Sequence, residues 1–190
     1  MKRLLIIGAG GHGRSVAEAV LAGGEFVVAG FLDDAYPELG RVWELPVLGK
    51  MVDFARWRCE ADFTIVALGN NALRQSMTDE LLGVGFSLVT VVHPRAIVSP
   101  TAKIGAGTVI MAGAIVGTEA RLGDGVIVNC AAVVDHHCHI SDFGHLGVNA
   151  VMVGGATLGV GAWMQAGSVL GHGIEIEAGR VLLPGEVVQS

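Results

Sequence analysis

The sequence predicts two domains of different fold class: a small Rossmann-like α/β domain over residues 1–91 and an all-β parallel β-helix over residues 92–190. Three observations support this prediction. From Val92 to Val188 an aliphatic residue recurs at every sixth position without an insertion. A small residue usually follows four positions later. Residues 1–91 instead alternate apolar runs with helical segments, and a glycine-rich loop follows the first run.

The first ninety residues are expected to alternate strands and helices, which implies a small parallel sheet with Rossmann-like winding. Short apolar runs predict the strands and polar–apolar segments predict the helices. We expect strands at residues 4–7, 26–31, 64–67 and 86–91, and helices at residues 15–21 and from about 71 to 82.

The loop Gly8-x-Gly10-x-x-Gly13 matches the dinucleotide-binding fingerprint, and the acidic pair Asp33-Asp34 follows at about the expected distance. Such glycines let a phosphate-bearing ligand approach the backbone at a helix N-terminus. An NAD-binding domain normally has two mononucleotide halves, whereas this domain has room for one, so a smaller nucleotide ligand is favoured over NAD. A purely structural glycine turn is the third interpretation. His12 is either a ligand contact or a turn residue.

The six-residue period of the second half fits neither a helix nor a plain strand, and it is typical of a parallel β-helix wound as a prism. With three hexads to a coil, about five coils fit. Large and small residues alternating inward fill a narrow prism without voids. The small slot is filled by a larger residue only at Val126, Ile174, Arg180 and Glu186. The seventeen aliphatic positions are Val92, Val98, Ile104, Ile110, Val116, Leu122, Val128, Val134, Ile140, Leu146, Met152, Leu158, Met164, Leu170, Ile176, Leu182 and Val188.

Histidines cluster in one part of the repeat: four of the seven are His136, His137, His139 and His145. His136 and His137 occupy the third and fourth places of the hexad that starts at Val134, where the chain turns and side chains point outward. An accessible imidazole is well suited to move protons near neutral pH. Asp135 is adjacent and could orient an imidazole or stabilise its cation.

Other roles for this cluster are less consistent with the spacing. Zinc binding by His136, His137, Cys138 and His139 lacks a recognised ligand spacing, and Cys138 falls in the inward slot, so no metal site is predicted. The same burial argues against Cys138 as a nucleophile. A purely structural histidine corner remains the alternative to general-base catalysis.

Composition narrows the function classes. The net charge is −6, there is no basic cluster and aromatics make up only 5% of the residues, which disfavours nucleic-acid binding. The chain has no uninterrupted apolar run of about eighteen residues, so a membrane span is not expected. The cysteines Cys59, Cys130 and Cys138 are odd in number and form no CxxC pair, which predicts free thiols in a reducing cytoplasm.

Taken together, several motifs and the hexads resemble the bacterial sugar O/N-acyltransferases of the sialic-acid O-acetyltransferase type. The most similar subgroup is the UDP-4-amino-sugar N-acetyltransferases of bacillosamine and perosamine pathways. The resemblance implies a left-handed β-helix, a homotrimer with active sites between neighbouring prisms, a nucleotide-sugar bound by the N-terminal domain, and acetyl-CoA as the cosubstrate bound by the β-helix. It rests on Gly8-Ala9-Gly10-Gly11-His12-Gly13, Asp33-Asp34, Gly69-Asn70-Asn71 and Val133-Val134-Asp135-His136.

The resemblance also implies residue roles. His136 would be the general base that takes a proton from the sugar amine as its nitrogen attacks the thioester directly. A backbone N–H near Gly154-Gly155 would stabilise the oxyanion. The nucleotide-sugar would be bound by Gly10, His12, Gly13, Asp33, Asp34, Gly69, Asn70 and Arg74. The acetyl-pantetheine arm would lie along His145, Gly154, Gly155 and Ala166.

Two features depart from the family pattern. His137 stands where the family commonly has Glu or Asp as the carboxylate that orients the catalytic histidine, so we expect Asp135 to take over or activity to be lower. The chain ends at Val188-Gln189-Ser190 without the usual final G-x-P-A-K/R-like segment, so contacts to the adenine end of CoA are expected to be weakened.

Three functions are consistent with these features. The first is an acetyl-CoA-dependent N-acetyltransferase acting on a UDP- or GDP-linked 4-amino-sugar in glycan biosynthesis. The second is an O-acetyltransferase acting on a sugar hydroxyl. The third is a non-catalytic trimeric scaffold that binds a nucleotide-sugar.

Overall fold

The computed structural model describes residues 2–189, so the terminal Ser190 named above lies outside the described residues. The chain divides into two compact units, one ending at Val91 and the other beginning at Val92. In the described part of the chain, no helix is both long enough and apolar enough to cross a bilayer.

The N-terminal unit contains a six-stranded sheet in the order β3-β4-β2-β1-β5-β6. Neighbouring strands are parallel except for β3 and β4, which form an antiparallel hairpin at the sheet edge. Its elements are β1 (Lys2–Ile7), α1 (Gly11–Gly23), β2 (Phe26–Leu32), β3 (Arg41–Val42), β4 (Leu45–Gly49), a 3₁₀ helix (Met51–Trp57), β5 (Phe63–Val66), α2 (Asn71–Gly83) and β6 (Ser87–Leu88).

The structure differs from the sequence expectation in four respects within this unit. The edge hairpin and the 3₁₀ helix were not predicted. The strand expected at residues 86–91 is instead two short strands, β6 and then β7 (Val91–Val92). Helix α1 begins at Gly11, four residues earlier than expected, because the glycine loop leads directly into its first turn.

From β7 onward the chain forms seventeen two-residue strands, and each expected aliphatic position is the second residue of one of them. After β7 they are β8 (Ile97–Val98), β9 (Lys103–Ile104), β10 (Val109–Ile110), β11 (Ile115–Val116), β12 (Arg121–Leu122), β13 (Ile127–Val128), β14 (Val133–Val134), β15 (His139–Ile140), β16 (His145–Leu146), β17 (Val151–Met152), β18 (Thr157–Leu158), β19 (Trp163–Met164), β20 (Val169–Leu170), β21 (Glu175–Ile176), β22 (Val181–Leu182) and β23 (Val187–Val188).

Every third strand pairs in parallel, which generates three sheets. We name them face 1 (β7, β10, β13, β16, β19, β22), face 2 (β8, β11, β14, β17, β20, β23) and face 3 (β9, β12, β15, β18, β21). Residues eighteen apart, such as Val133 and Val151, are therefore neighbours in successive coils. Corner amides add further hydrogen bonds between coils, since His137 N–H donates to the Thr118 carbonyl at 2.9 Å and Gly155 N–H donates to the His136 carbonyl at 3.0 Å.

The prism interior is an aliphatic column interleaved with small residues. The aliphatic positions from Ile110 to Leu182 are buried, and the small slots, including Cys138 at 0% exposure, pack between them. The two charged residues in small slots do not enter this core. They lie at the last coil, where Arg180 Nη2 and Glu186 Oε1 form an ion pair at 3.1 Å.

Faces 2 and 3 present different outer surfaces. The outward residue of every strand on face 2 is a β-branched aliphatic: Ile97, Ile115, Val133, Val151, Val169 and Val187. Ile97, Ile115 and Val187 are 66%, 39% and 54% exposed. The outward residues of face 3 are Lys103, Arg121, His139, Thr157 and Glu175. Face 2 thus has an apolar outer surface, and three of its six outward side chains are exposed among the described residues.

Candidate active site

The glycine loop of the N-terminal unit lies at the carboxyl end of β1, which is between β2 and β5 in the sheet. In open α/β sheets this edge, where the chain turns to opposite sides of the first strand, forms the ligand crevice. A Cβ at Gly13 would collide with the Gly8 carbonyl, so Gly13 allows α1 to pack closely on β1. A Cβ at Gly10 would meet no atom within 4 Å. The backbone at Gly10 is therefore open for a ligand to approach.

The acidic pair follows β2 at the same edge. Asp33 Oδ2 accepts a hydrogen bond from Ala9 N–H at 2.7 Å, and its Oδ1 accepts one from Ala35 N–H at 2.9 Å. Asp34 is exposed, and its Oδ1 accepts from Met51 N–H at 3.1 Å. Asp33 thus holds the glycine loop in place, while Asp34 is the more accessible of the two carboxylates.

The third loop at this edge contains Gly69 and Asn70, both exposed. Asn70 is the N-cap of α2, and its Oδ1 accepts a hydrogen bond from Leu73 N–H at 2.9 Å. Arg74, expected to contact the substrate, is only 1% exposed and donates from Nη1 to the Leu68 carbonyl at 3.0 Å. Arg74 thus supports this loop from inside the unit, and its contact with the substrate stays a prediction.

His12 has a partly buried imidazole whose environment keeps it neutral. Burial, and to a smaller extent the positive charge of Arg74, lowers the pKa of His12 from 6.5 to about 4. Its Nε2 is buried and has no hydrogen-bond partner among residues 2–189. A buried polar atom without a partner is costly, so this nitrogen is suited to a ligand.

In the prism, His136 and His137 lie at the corner between faces 2 and 3, and their side chains are 53% and 59% exposed. The two Nδ1 atoms are 2.9 Å apart and share a hydrogen bond. The rings meet edge to face, with centroids 5.1 Å apart. His137 Nε2 is 3.1 Å from Glu119 Oε2.

Glu119 was not identified from the sequence. It precedes His137 by eighteen residues, which is one coil, so the coil register could have found it. The carboxylate that lies nearest to the two histidine rings therefore belongs to Glu119 in the preceding coil, and not to Asp135 beside His136 in the sequence.

Asp135 was expected to orient the His136 ring or to stabilise its cation, and its carboxylate lies beside the Nε2 atom of that ring. Its Oδ1 accepts from His136 backbone N–H at 2.7 Å, and its Oδ2 accepts from Gly154 N–H at 3.2 Å. The Oδ2 atom of Asp135 is 3.8 Å from His136 Nε2. It therefore lies near the ring nitrogen that is not bonded to His137. Asp135 therefore fixes the corner backbone, and His137 is the residue that contacts Nδ1.

The oxyanion donor expected at Gly154-Gly155 stays a prediction, and both N–H groups have partners within this chain. Gly154 N–H donates to Asp135, and Gly155 N–H donates to the His136 carbonyl at 3.0 Å. Both groups are used within the corner. The role of Gly154 is steric, because a Cβ there would lie 2.5 Å from His136 Cε1 and 2.7 Å from Nε2.

Cys138 lies beside this corner but points into the core. Its Sγ is 3.4 Å from the Val153 carbonyl, and burial raises the pKa of the thiol. A raised pKa and full burial make it a poor nucleophile. Among the described residues, no three or more His, Cys, Asp or Glu side chains are arranged to hold a metal ion.

The residues expected along the acetyl-pantetheine arm lie in separate places. His145 on face 1 is 6% exposed and stacks on Trp163 with ring centroids 5.2 Å apart. Ala166 is exposed at the corner between faces 1 and 2. His136 and Gly154 are at the other edge of face 2. A single prism therefore does not bring His136 and Ala166 together.

Residues 3–81 match the model of the PglD N-terminal domain family. The whole chain superposes on perosamine N-acetyltransferase from Caulobacter crescentus, solved in complex with CoA and GDP-perosamine, with a TM-score of 0.94. The two sequences are 35% identical, and the match covers 89% of that protein. The chain belongs to the hexapeptide-repeat amino-sugar N-acetyltransferase family.

Two other members of this N-acetyltransferase family are also similar. The acetyltransferase domain of PglB from Neisseria gonorrhoeae FA1090, in complex with acetyl coenzyme A, is 38% identical with a TM-score of 0.78; the match covers 98% of this chain and 93% of that one. UDP-N-acetylbacillosamine N-acetyltransferase of Bacillus subtilis (strain 168) is 38% identical over 114 residues, which is 58% of this chain. The matched segment spans 52% of that protein, about half of its length.

These matches confirm the fold class predicted from the sequence. The second unit is a left-handed parallel β-helix, and the N-terminal unit is an α/β domain of the kind found in this N-acetyltransferase family. The expected family resemblance is confirmed as well.

Proposed function

We propose that this protein transfers the acetyl group of acetyl-CoA to the amine of a nucleotide-linked 4-amino-sugar, UDP- or GDP-linked, in glycan biosynthesis. The observation that carries the proposal is the His136 corner. The exposed imidazole of His136 is held at Nδ1 by a hydrogen bond to His137, and its Cε1 and Nε2 atoms lie against Gly154. Relatives that share 34–38% identity are N-acetyltransferases by name.

In this proposal His136 Nε2 is the general base. The amine nitrogen attacks the thioester carbonyl carbon while Nε2 takes the amine proton, so that no charged ammonium is left behind. The C–S bond then breaks and the proton passes to the leaving sulfur, which departs as a thiol. An imidazole is suited to both transfers because its pKa lies near neutrality.

The nucleotide-sugar is proposed to bind at the strand-end edge of the N-terminal unit. The open backbone at Gly10 and the N-terminus of α1 favour a phosphate. Asp34 and Asn70 present polar groups for sugar or base hydroxyl and amide groups, and the buried Nε2 of neutral His12 offers one more hydrogen bond. Gly13 and Asp33 shape the loop from behind.

We also propose a homotrimer in which face 2 of each copy packs around a threefold axis. The outward strand residues of face 2 are all β-branched aliphatics, and monomeric proteins rarely leave such a continuous apolar surface exposed. His136 lies at one edge of face 2 and Ala166 at the other. Three prisms that turn face 2 inward bring opposite edges of neighbouring copies together. Cyclic closure would therefore unite the base of one copy with the acetyl-pantetheine arm along His145 and Ala166 of the next.

The cytoplasm is the proposed compartment. Cys59, Cys130 and Cys138 are free thiols, which is consistent with a reducing environment. Acetyl-CoA as cosubstrate is consistent with the same compartment.

The decisive test is thiol release from acetyl-CoA with a panel of UDP- and GDP-linked 4-amino-sugars. We expect turnover with one of them, and His136→Ala to lower kcat by about a hundredfold or more. Turnover with a sugar hydroxyl instead would indicate an O-acetyltransferase. Tight nucleotide-sugar binding without any thiol release would contradict the proposal and indicate a non-catalytic scaffold.

A further inference from the structure

Three side chains from two coils lie in a line at the His136 corner. Glu119 Oε2 lies 3.1 Å from His137 Nε2, and His137 Nδ1 lies 2.9 Å from His136 Nδ1. We propose that Glu119 is a positioning residue that acts through His137 to expose a lone pair at His136 Nε2. This inference rests on the proposed function, in which Nε2 is the base.

The number of protons on each ring determines which nitrogen donates and which accepts along this line. A carboxylate accepts hydrogen bonds and donates none, so His137 Nε2 carries the proton that points at Glu119. A neutral imidazole carries one ring proton, which leaves His137 Nδ1 as an acceptor. His136 Nδ1 must then be the donor, and its single proton is used there. His136 Nε2 is left with a bare lone pair.

The same two residues, His137 and Glu119, also stabilise the His136 ring after it has taken up the amine proton. When His136 Nε2 takes the amine proton, its ring becomes a cation with N–H groups at both nitrogens. The Nδ1–H of the cation remains bonded to His137, and the negative charge of Glu119 lies beyond it. The proton leaves from Nε2 to the departing sulfur, so His137 and Glu119 end the cycle as they began.

Asp135 does not compete for this role. Its two oxygens accept backbone N–H groups of His136 and Gly154, and it lies on the Nε2 side of the ring. The structure therefore answers how a histidine at position 137 is compatible with a catalytic corner: the carboxylate is displaced by one coil, and His137 connects it to the base.

The backbone at the two supporting positions is also unusual. Glu119 and His137 both have φ of 58°, in the left-handed region, whereas the next two coils have Gly155 and Gly173 at the equivalent positions. Glycine adopts this conformation most easily. Thr101 Oγ1 accepts from Glu119 N–H at 3.0 Å and holds this residue in place. An exposed contact between an imidazole and a carboxylate contributes little to stability, so the role that we assign to these two side chains is their alignment with His136.

The conformation of the line is tested first without any substrate. Long-range proton–nitrogen correlation spectra of the protein with isotope-labelled histidine report the tautomer of each ring, and His136→Ala and His137→Ala assign the signals. We expect the Nδ1–H tautomer at His136 and the Nε2–H tautomer at His137. In Glu119→Gly the Nδ1–H tautomer of His136 should be lost. A wild-type protein with Nε2–H at His136 overturns the proposal, whether or not the protein is an acetyltransferase.

Kinetics test the consequence for catalysis. Glu119→Gly removes the carboxylate at a position where glycine suits the backbone, so loss of folding is not expected. We expect kcat to fall by roughly tenfold to a hundredfold, with KM for acetyl-CoA changed less than about twofold because the proposed effect of Glu119 acts through His137. Ala131→Gly, at another corner with φ of 56°, is the control for the backbone change and should leave kcat unaltered.

A second substitution distinguishes positioning from a general effect of charge. His137→Glu places a carboxylate directly beside His136 Nδ1 and should restore most of the kcat lost in Glu119→Gly when the two are combined. An equal loss from Glu119→Gly in both backgrounds would contradict the relay. If wild-type protein shows no turnover with any acceptor, the proposed function fails, and the tautomer spectra still decide whether the line exists.

Discussion

The imidazole of His136 lies against the α-carbon of Gly154, its counterpart one coil later in the prism. A Cβ at Gly154 would be 2.5 Å from Cε1 of that ring, so the ring occupies the space that any other side chain would need. Gly154 is buried beneath it.

This contact predicts that Gly154→Ala lowers activity without unfolding the protein. The added methyl group meets only a side chain, which can rotate away, so the melting temperature should change little. Because a misplaced base costs about a hundredfold in rate, kcat should fall by about that factor. Thiol release and a thermal melt measure the two effects.

Gly159→Ala is the comparison for that experiment. Its Cβ would lie 2.5 Å from Ala178 N and 2.7 Å from the Glu177 carbonyl carbon, and backbone atoms of the next coil cannot move aside as a ring can. Gly159→Ala should therefore lower the melting temperature. If Gly154→Ala lowers it equally, the contact with His136 does not explain the effect on rate.

The glycine loop offers a second contrast between two glycines. Gly13→Ala should destabilise the N-terminal unit by about 1–3 kcal/mol, because its Cβ collides with the Gly8 carbonyl. Gly10→Ala should leave the fold intact and weaken nucleotide-sugar binding by about tenfold, or about 1.4 kcal/mol. Helical circular dichroism on heating and calorimetric titration with UDP- and GDP-sugars report these outcomes. Unchanged affinity in Gly10→Ala would place the ligand elsewhere.

His12 predicts a loss of stability in mild acid. Its pKa is about 4 in the folded protein and 6.5 when free, so below pH 6.5 the unfolded chain binds a proton that the folded chain does not. Stability is therefore full above pH 6.5 and falls between pH 6.5 and 4, by about 2 kcal/mol at pH 5.

His12→Gln should remove this part of the pH dependence. Urea unfolding of the variant and the wild type, followed by the circular dichroism of the helices, is measured at pH 7 and pH 5. The two proteins differ in only one titrating group, so any difference in their pH dependence comes from His12. Parallel losses of stability in the two proteins would show that His12 is not buried as described.

Face 2 predicts the assembly state. Ile115→Arg places a charge in the middle of the apolar surface, and sedimentation should then show the mass of one chain in place of the trimer. Lys103→Glu on polar face 3 is the matched control and should leave the trimer intact. A wild-type protein that sediments as a monomer would contradict the proposed inter-subunit site. If Ile115→Arg is monomeric, its turnover should also be lost, since His136 and Ala166 then stay apart.

Much of this architecture could be predicted from the sequence because the prism repeats a short rule. Inward slots recur at fixed spacing, so Val134 and Cys138 could be placed in the core and His136 on the surface, as the structure shows. The proximity of Glu119 and His137 could also be predicted from the coil register, because residues eighteen apart are neighbours in successive coils. Motif spacing along the chain does not display it.

The N-terminal unit was less predictable because its tertiary packing outweighs local pattern. Arg74 reads as a solvent-exposed cation on a helix, and only the folded unit shows it buried under the Gly69–Asn70 loop. The hairpin of Arg41–Val42 and Leu45–Gly49 is short and lacks alternating polarity, so no periodic signal marks it. Likewise, the use of both Gly154 and Gly155 amides within the corner depends on side-chain positions that spacing alone does not define.

The repeat of eighteen residues makes the prism modular in evolution. A gene duplication or deletion of one whole coil would preserve every core slot and every corner, and the fold would tolerate it. The contact between Glu119 and His137 would not survive every such insertion. An extra coil between these two residues would move the Glu119 carboxylate one further strand spacing away from the His137 imidazole. The line of Glu119, His137 and His136 therefore restricts where a coil could be inserted without separating these three side chains.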